Sequence, residues 1–426
     1  MSKYTMMDAE SLHREWDMVK EQYKELCAQG LALDMSRGKP APEQLDLGNS
    51  LFHAVDEEKG FSSANGTDCR NYGGLDGLPE LKKVFADILG MDPSLVIAGG
   101  SSSLNLMFDM VAQGMYKGFG GEKPWLMQGK IKFLCPVPGY DRHFTICEYF
   151  GIEMIPVPMD ENGPVMHKVT ELVQDPSVKG MWCVPKFSNP GGVVYSDAVV
   201  AALAELKPAA KDFRIFWDNA YAVHLLGDED RPLANIYNAC VTAGNPDLVI
   251  QFTSTSKITF AGAGIAALAA SEDNITEIKS RMSFQTIGPD KINQLRHVRM
   301  LPDIEAVKKQ MQRQAEILAP KFDAVIAGLK AELDDFGIAH WNEPQGGYFI
   351  CLYVMRSCAK RVVELCKNAG LVLTPAGAAY PYGNDPEDSN IRIAPSFPSV
   401  EELQLATRLL CTCVKYAALE KLCETN

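Results

Sequence analysis

No stretch of about 20 consecutive apolar residues occurs in these 426 residues, so no membrane-spanning helix is expected. The opening residues, Met1–Glu10, hold no apolar run of the kind a secretion signal needs, and export is not expected from them. Positive charge is in deficit. Its 41 Lys and Arg face 54 Asp and Glu, a formal net charge of −13, and no basic run interrupts that balance. A surface of that sign repels phosphate backbones, so nucleic acid is not an expected partner. The 12 cysteines include no Cys-x-x-Cys pair, and the close pair Cys411/Cys413 has no His or Cys partner at zinc spacing. Neither a metal site nor a disulfide framework is expected; reduced, mostly buried thiols in a cytoplasmic protein are. Internal repeats and low-complexity tracts are also lacking.

What is present is ordinary for a folded chain of this size: 46% hydrophobic and 22% charged residues, enough for a large core and roughly two or three domains. Leu12, Trp16, Val19, Tyr23 and Leu26 recur at helical spacing, and Gly30 is placed to end that helix. Short apolar runs follow at Ser94–Ala98, Lys130–Cys135, Glu153–Val157, Gly180–Val184, Arg214–Trp217 and Asp247–Thr253, with helical patterns at Leu104–Gln113, Asp141–Phe150 and Asp197–Leu206 between them. Apolar strands alternating with helices predict a mostly parallel α/β sheet covered on both faces. Beyond about Gly288 the pattern changes. A long helix over Pro302–Leu329 precedes strands near Gly347–Tyr353 and Gly370–Leu373 and helices near Ala359–Lys367 and Val400–Ala418. A smaller, discontinuous α/β domain is expected there, joined by the N-terminal helix: 1–50 with 316–426, around a large domain at 51–315.

In a parallel sheet, ligands sit beyond the carboxyl ends of the strands. Five such ends carry polar or special residues: Gly99–Ser103, Pro136–Tyr140, Pro185–Gly192, Asp218–Tyr221 and Ser254–Lys257. Singly, each has a plain structural explanation. A Gly-Gly-Ser-Ser turn caps a helix, Asn-Pro-Gly-Gly is a turn, an Asp ends a strand, and a Lys faces water. Together they offer an anion cradle, an aromatic face, an amide, a carboxylate, a phenol and an amine on one rim. Those are the parts a pyridoxal phosphate site requires: a lysine for the Schiff base and a carboxylate for the pyridine nitrogen.

Asn189-Pro190-Gly191-Gly192, Asp218-x-x-Tyr221, Ser254-x-Ser256-Lys257, Gly346-Gly347-Tyr348-Phe349 and Asn390-Ile391-Arg392-Ile393 occur in an order and at separations that resemble the fold-type I, class I/II aminotransferases over nearly the whole chain. Within that group the sequence is similar to the type Ic aspartate aminotransferases. The resemblance implies the type I transferase fold, pyridoxal 5′-phosphate as cofactor, and transfer of an amino group from an amino acid to a 2-oxo acid by a ping-pong route, with L-aspartate and 2-oxoglutarate the preferred pair. It makes Lys257 the Schiff-base lysine and proton shuttle, Asp218 the partner of the ring nitrogen, and Tyr221 and Asn189 the partners of the ring hydroxyl oxygen. Tyr140 is then the stacking aromatic. Ser101, Ser102 and Ser254 hold the phosphate, with Ser103 and Ser256 as helpers. Arg392 grips the substrate α-carboxylate, and Gly38 lies in a loop that closes over the substrate. Tyr72, in Asn71–Gly74, implies a homodimer with shared active sites.

Two departures stand out. Ile258–Ile265, after the lysine, holds no arginine for the phosphate, and Ile287–Ile292 offers Lys291 where the family's best-known aspartate enzymes use an arginine for the distal carboxylate. A dicarboxylate in a closed pocket needs a second cation. Arg142 is the first candidate, ahead of Arg37 and Lys291. Other donors (aminoadipate, kynurenine, an aromatic amino acid), a lyase on the same fold, and a non-catalytic effector-binding protein remain as alternatives. The acidic balance and the early start of the first helix argue against the last of these.

Overall fold

The computed structural model describes residues 4–425. The first helix spans Ala9–Ala28; Leu12, Val19 and Leu26 form its buried stripe, and Asp8 caps it by accepting from the Ser11 amide. It ends on Gln29 rather than on the expected glycine. Gly30 follows at φ +63°, the left-handed conformation glycine adopts without steric penalty.

A two-residue strand, β1 (Leu33–Asp34), comes next. The main sheet is built from β2 (Val96–Ala98), β3 (Lys132–Val137), β4 (Glu153–Asp160), β5 (Gly163–Pro164), β6 (Val178–Cys183), β7 (Arg214–Asp218), β8 (Val249–Ser254) and β9 (Ala266–Ala270), in the order β2-β9-β8-β7-β6-β3-β4-β5. The central run β8-β7-β6-β3-β4 is parallel. β9 lies antiparallel between β8 and β2, and β5 pairs antiparallel with β4. Every position of β6, β7 and β9 is buried, as in a sheet covered on both faces. On one face Phe133, Trp182, Phe216 and Phe252 pack with Met107, Met110 and Phe144 of the helices Ser103–Tyr116 and Asp141–Phe150. On the other, Leu134, Met181, Ile215 and Trp217 pack with Val199 and Leu203 of the helix Asp197–Ala204.

The remaining strands are β10 (Ala339–Trp341), β11 (Ile350–Val354), β12 (Leu371–Val372) and β13 (Asn390–Ile393). β10, β11 and β13 form an antiparallel sheet, and β12 pairs in parallel with β1. Leu12, Val19 and Leu26 share one apolar cluster with Leu403, Leu410 and Val414 of the last helix, Val400–Thr425. Burying its stripe there joins the first helix to the C-terminal part of the chain. Among the described residues no helix is long and apolar enough to cross a membrane.

Candidate active site

The carboxyl ends of β7 and β8 and the turns after β3 and β6 open on one cleft of about 730 Å³, and β13 contributes Arg392 to it from the smaller sheet. Asp218, the last residue of β7, is 2% exposed. Its Oδ2 lies 3.0 Å from His143 Nε2, and the His143 ring stacks on Trp182 at 4.4 Å with 10° between planes. A carboxylate only accepts, so the imidazole donates here. Oδ1 of Asp218 is buried and has no partner among the described residues. A buried carboxylate oxygen left unpaired is costly, and it marks a place for a cationic N–H from a ligand.

Lys257 lies three residues beyond the end of β8, its Nζ 5.1 Å from the Tyr221 ring centroid and 5.6 Å from that of Tyr348. Burial pulls the amine pKa below its ordinary value, and the Asp218 charge pushes it partly back. Burial raises the Tyr221 hydroxyl well above its usual range, with the neighbouring Tyr140 and Asp218 adding to the effect. Tyr140 is pushed up to about 12, mainly by burial, and meets His143 edge-on at 5.0 Å.

Ser102, Ser103, Ser254 and Ser256 line the same cleft. Ser102 caps the helix Ser103–Tyr116 by accepting from the Leu104 amide, and Ser254 Oγ sits 3.1 Å from Ser256 Oγ. Hydroxyls gathered at a helix N-terminus fit an anion. Ser101 is not part of the lining; its carbonyl accepts from Ser256 Oγ at 3.4 Å.

Opposite stands Arg392. Its Nη1 donates to Asp141 Oδ1 at 2.9 Å and to Asn189 Oδ1 at 3.3 Å, its Nη2 donates to Thr374 Oγ1 at 3.3 Å, and its Nε is buried without a partner. The guanidinium lies over the Phe349 ring at 4.9 Å. Gly38 lines the cleft, and a Cβ there would come within 2.5 Å of Phe349, so only glycine fits without displacing that ring. Arg37 and Arg142 also line the cleft, are exposed, and form no ion pair among the described residues. Lys291 is not in the cleft lining: its Nζ donates to the Gly73 carbonyl at 2.6 Å, tethering the loop of Tyr72, which is 81% exposed and also outside the lining.

Sequence reasoning missed His143, Asp141 and Thr374. Asp141 follows Tyr140 directly and His143 is three residues on, both in the helix Asp141–Phe150, and that helical spacing was the available signal for the imidazole. Nothing local marks Thr374.

A family model described as aspartate amino-transferase matches residues 7–426. An aspartate aminotransferase of Corynebacterium glutamicum is 47% identical over 414 residues, covering 97% of this chain and 96% of its own. The crystal structure of an aspartate transaminase from the same species superposes with a TM-score of 0.96 at 46% identity, covering 99% of both chains. An α-aminoadipate aminotransferase of Thermus thermophilus, solved with N-(5′-phosphopyridoxyl)-L-leucine, shares the fold at a TM-score of 0.73 and 18% identity, over 93% of this chain and 95% of its own. The mostly parallel α/β sheet, its strand-end cleft and these likenesses agree: the chain belongs to the aspartate aminotransferase family, and it is a transaminase.

Proposed function

We propose that this transaminase uses pyridoxal 5′-phosphate to exchange amino groups between L-aspartate and 2-oxoglutarate, giving oxaloacetate and L-glutamate. The observation that carries the cofactor reading is the pairing, in one cleft, of a desolvated lysine with a buried carboxylate whose Oδ1 has no partner among the described residues. When bound, the cofactor supplies an electron sink for the substrate Cα.

The chain's own groups do the rest. Desolvation favours the neutral form of Lys257 Nζ, the form able to take the Cα proton and return it. Asp218 Oδ1 holds the ring N–H, while His143 fixes the other carboxylate oxygen and so the carboxylate's orientation. Tyr221 and Asn189 bond the ring oxygen, and Tyr140 covers the ring face. The serine hydroxyls and the amides of the helix start take the phosphate, with no arginine from Ile258–Gly264. Arg392 takes the α-carboxylate as a fork. Arg142, exposed on the cleft and without an ion pair among the described residues, takes the distal carboxylate, and that is what favours a dicarboxylic donor.

Tyr72, Phe284 and Ile287 are strongly exposed, and Gly288 packs against the Gly73 backbone beside Tyr72. Exposed large apolar side chains on the Tyr72 loop and on the end of the helix Glu272–Gln285 with the loop after it support a homodimer in which Tyr72 reaches the partner's site. Residues 1–50 with 316–426 form the small domain and 51–315 the large one. Twelve free cysteines, ten of them buried, support a cytoplasmic setting.

Titrating the purified holoenzyme with amino acids tests the reading. Aspartate is expected to bleach the cofactor's visible band and 2-oxoglutarate to restore it. A band bleached by another donor but never moved by aspartate would discard the substrate, and a colourless protein that gains no band with the cofactor would discard the site.

A further inference from the structure

Arg392 is engaged by a side chain of its own cleft, and that partner is acidic. Asp141 Oδ1 accepts from Nη1 at 2.9 Å, and Asp141 lines the cleft with its side chain about one-third exposed, against 11% for Arg392. The pair is one-pronged. Among the described residues Nη1 is shared with Asn189, Nη2 reaches only the Thr374 hydroxyl, and Nε stays buried and unpaired. A guanidinium satisfied by a carboxylate is normally gripped at two nitrogens. Here one carboxylate oxygen neutralises the charge and leaves the fork incomplete.

We propose that Asp141 is a built-in placeholder for the substrate α-carboxylate, a positioning residue that holds Arg392 between turnovers and is displaced by each incoming substrate. The inference deepens the reading above, since it rests on Arg392 being the α-carboxylate site. A nearly buried cation without a counter-ion is unfavourable, and the Asp141 carboxylate supplies one. An incoming carboxylate binds at two nitrogens where Asp141 binds at one, so exchange favours the substrate. The released Asp141 carboxylate turns to water from the first turn of the helix Asp141–Phe150, where the helix dipole favours its charge. The same turn carries Arg142, so the element that yields Arg392 also presents the second cation. Amino acid and 2-oxo acid share the α-carboxylate, and the placeholder therefore competes equally with both.

The test is succinate binding to the holoenzyme, measured calorimetrically, together with steady-state kinetics on wild type, Asp141→Asn, Asp141→Ser and Arg392→Ala. Removing the competitor is expected to tighten succinate binding about three- to ten-fold and to lower KM for aspartate and 2-oxoglutarate by the same factor, with kcat within about two-fold. Unchanged or weaker succinate binding in both Asp141 variants, or KM raised for both substrates, would overturn the placeholder and make Asp141 a brace for Arg392. Arg392→Ala reads the underlying assignment separately. Succinate binding lost there upholds the carboxylate site whatever the Asp141 variants do, whereas binding retained there refutes the site itself.

Discussion

The two walls of the cleft are made differently. Asp218, Asn189 and Tyr221 project from the strand ends and turns of the main sheet and are all under 5% exposed. Arg37 and Arg142 stand on a loop and on a helix's first turn, exposed and without ion pairs among the described residues, and Arg392 reaches across from another sheet. On the proposed reading one wall meets the same cofactor in every turnover, and its charges are fixed by burial and by bonds such as His143 to Asp218. The other must accept two dicarboxylates that differ by a methylene. A long exposed arginine adjusts to both at little cost, because nothing holds it. Preorganisation is concentrated where the ligand never changes.

The sharpest break of that contrast is at its rigid side. Lys257→Ala is expected to lower kcat by about a thousand-fold or more, because no other amine among the described residues lines the cleft to move the Cα proton. Stopped-flow kinetics with aspartate checks this, and circular dichroism confirms an intact fold. Activity within ten-fold or so of wild type would remove Lys257 from its role. Asp218→Asn comes next, at about a hundred-fold or more in kcat. His143→Phe is expected at about ten-fold with KM nearly unchanged, since the ring contacts to Tyr140 and Trp182 are kept and only the bond to the carboxylate is lost. Equal losses in KM for the His143 variant would mean that it shapes the substrate side instead.

Much of the rigid wall was legible because its residues sit where an apolar run stops. Asp218 ends β7, Lys257 follows β8, and β7 and β8 are rich in Ile, Phe, Trp and Val. Less legible was anything that depends on a helix's inward face or on pairing across the chain. His143 looked like one more residue of the helix Asp141–Phe150, and only the packing turns it to Asp218. β9, Ala-Ala-Leu-Ala-Ala, carries no β-branched or aromatic residue, so it gave no strand signal, although all five positions are buried. The helices Pro79–Leu89, Glu272–Gln285 and Lys291–Met300 went unread, and with the last of them the bond that keeps Lys291 on Gly73 and out of the cleft. Arg142 was found by asking which cation could meet a second carboxylate, a chemical rather than a local question.

On the substrate side, where Arg392 is held and Arg142 is free to adjust, the expected losses lie in affinity. Arg392→Lys replaces a planar fork by a point charge, and KM is expected to rise about ten- to a hundred-fold for amino acid and 2-oxo acid alike. Arg142→Ala is expected to raise KM about ten-fold for aspartate and 2-oxoglutarate while leaving KM for alanine, which has no distal carboxylate, nearly unchanged. Unaltered KM for aspartate would strike Arg142 from the specificity side and return attention to Arg37, the other exposed cation lining the cleft.

The smallest effect on catalysis, and a direct measure of how dry the rigid wall is, concerns His224. It is 3% exposed, meets Tyr221 edge-on at 5.6 Å, and has no partner at either ring nitrogen among the described residues. Burial, then the charges of Lys257 and Lys186, push its pKa from the ordinary 6.5 down to about 3. Between those values the unfolded chain binds a proton there and the folded chain does not. Stability therefore falls as pH drops through that window, by at most about 1.4 kcal/mol per pH unit for this one group. Burial lowers the His297 pKa as well, which adds a loss of the same sign. His224→Phe keeps the ring's packing and removes only its own share. The stability lost between about pH 7 and about pH 5, measured by urea unfolding, is expected to shrink by about 2 kcal/mol, with kcat near pH 7 little altered. An unchanged loss would mean that water reaches His224, and that the wall beside Tyr221 is as wet as the one that holds Arg142.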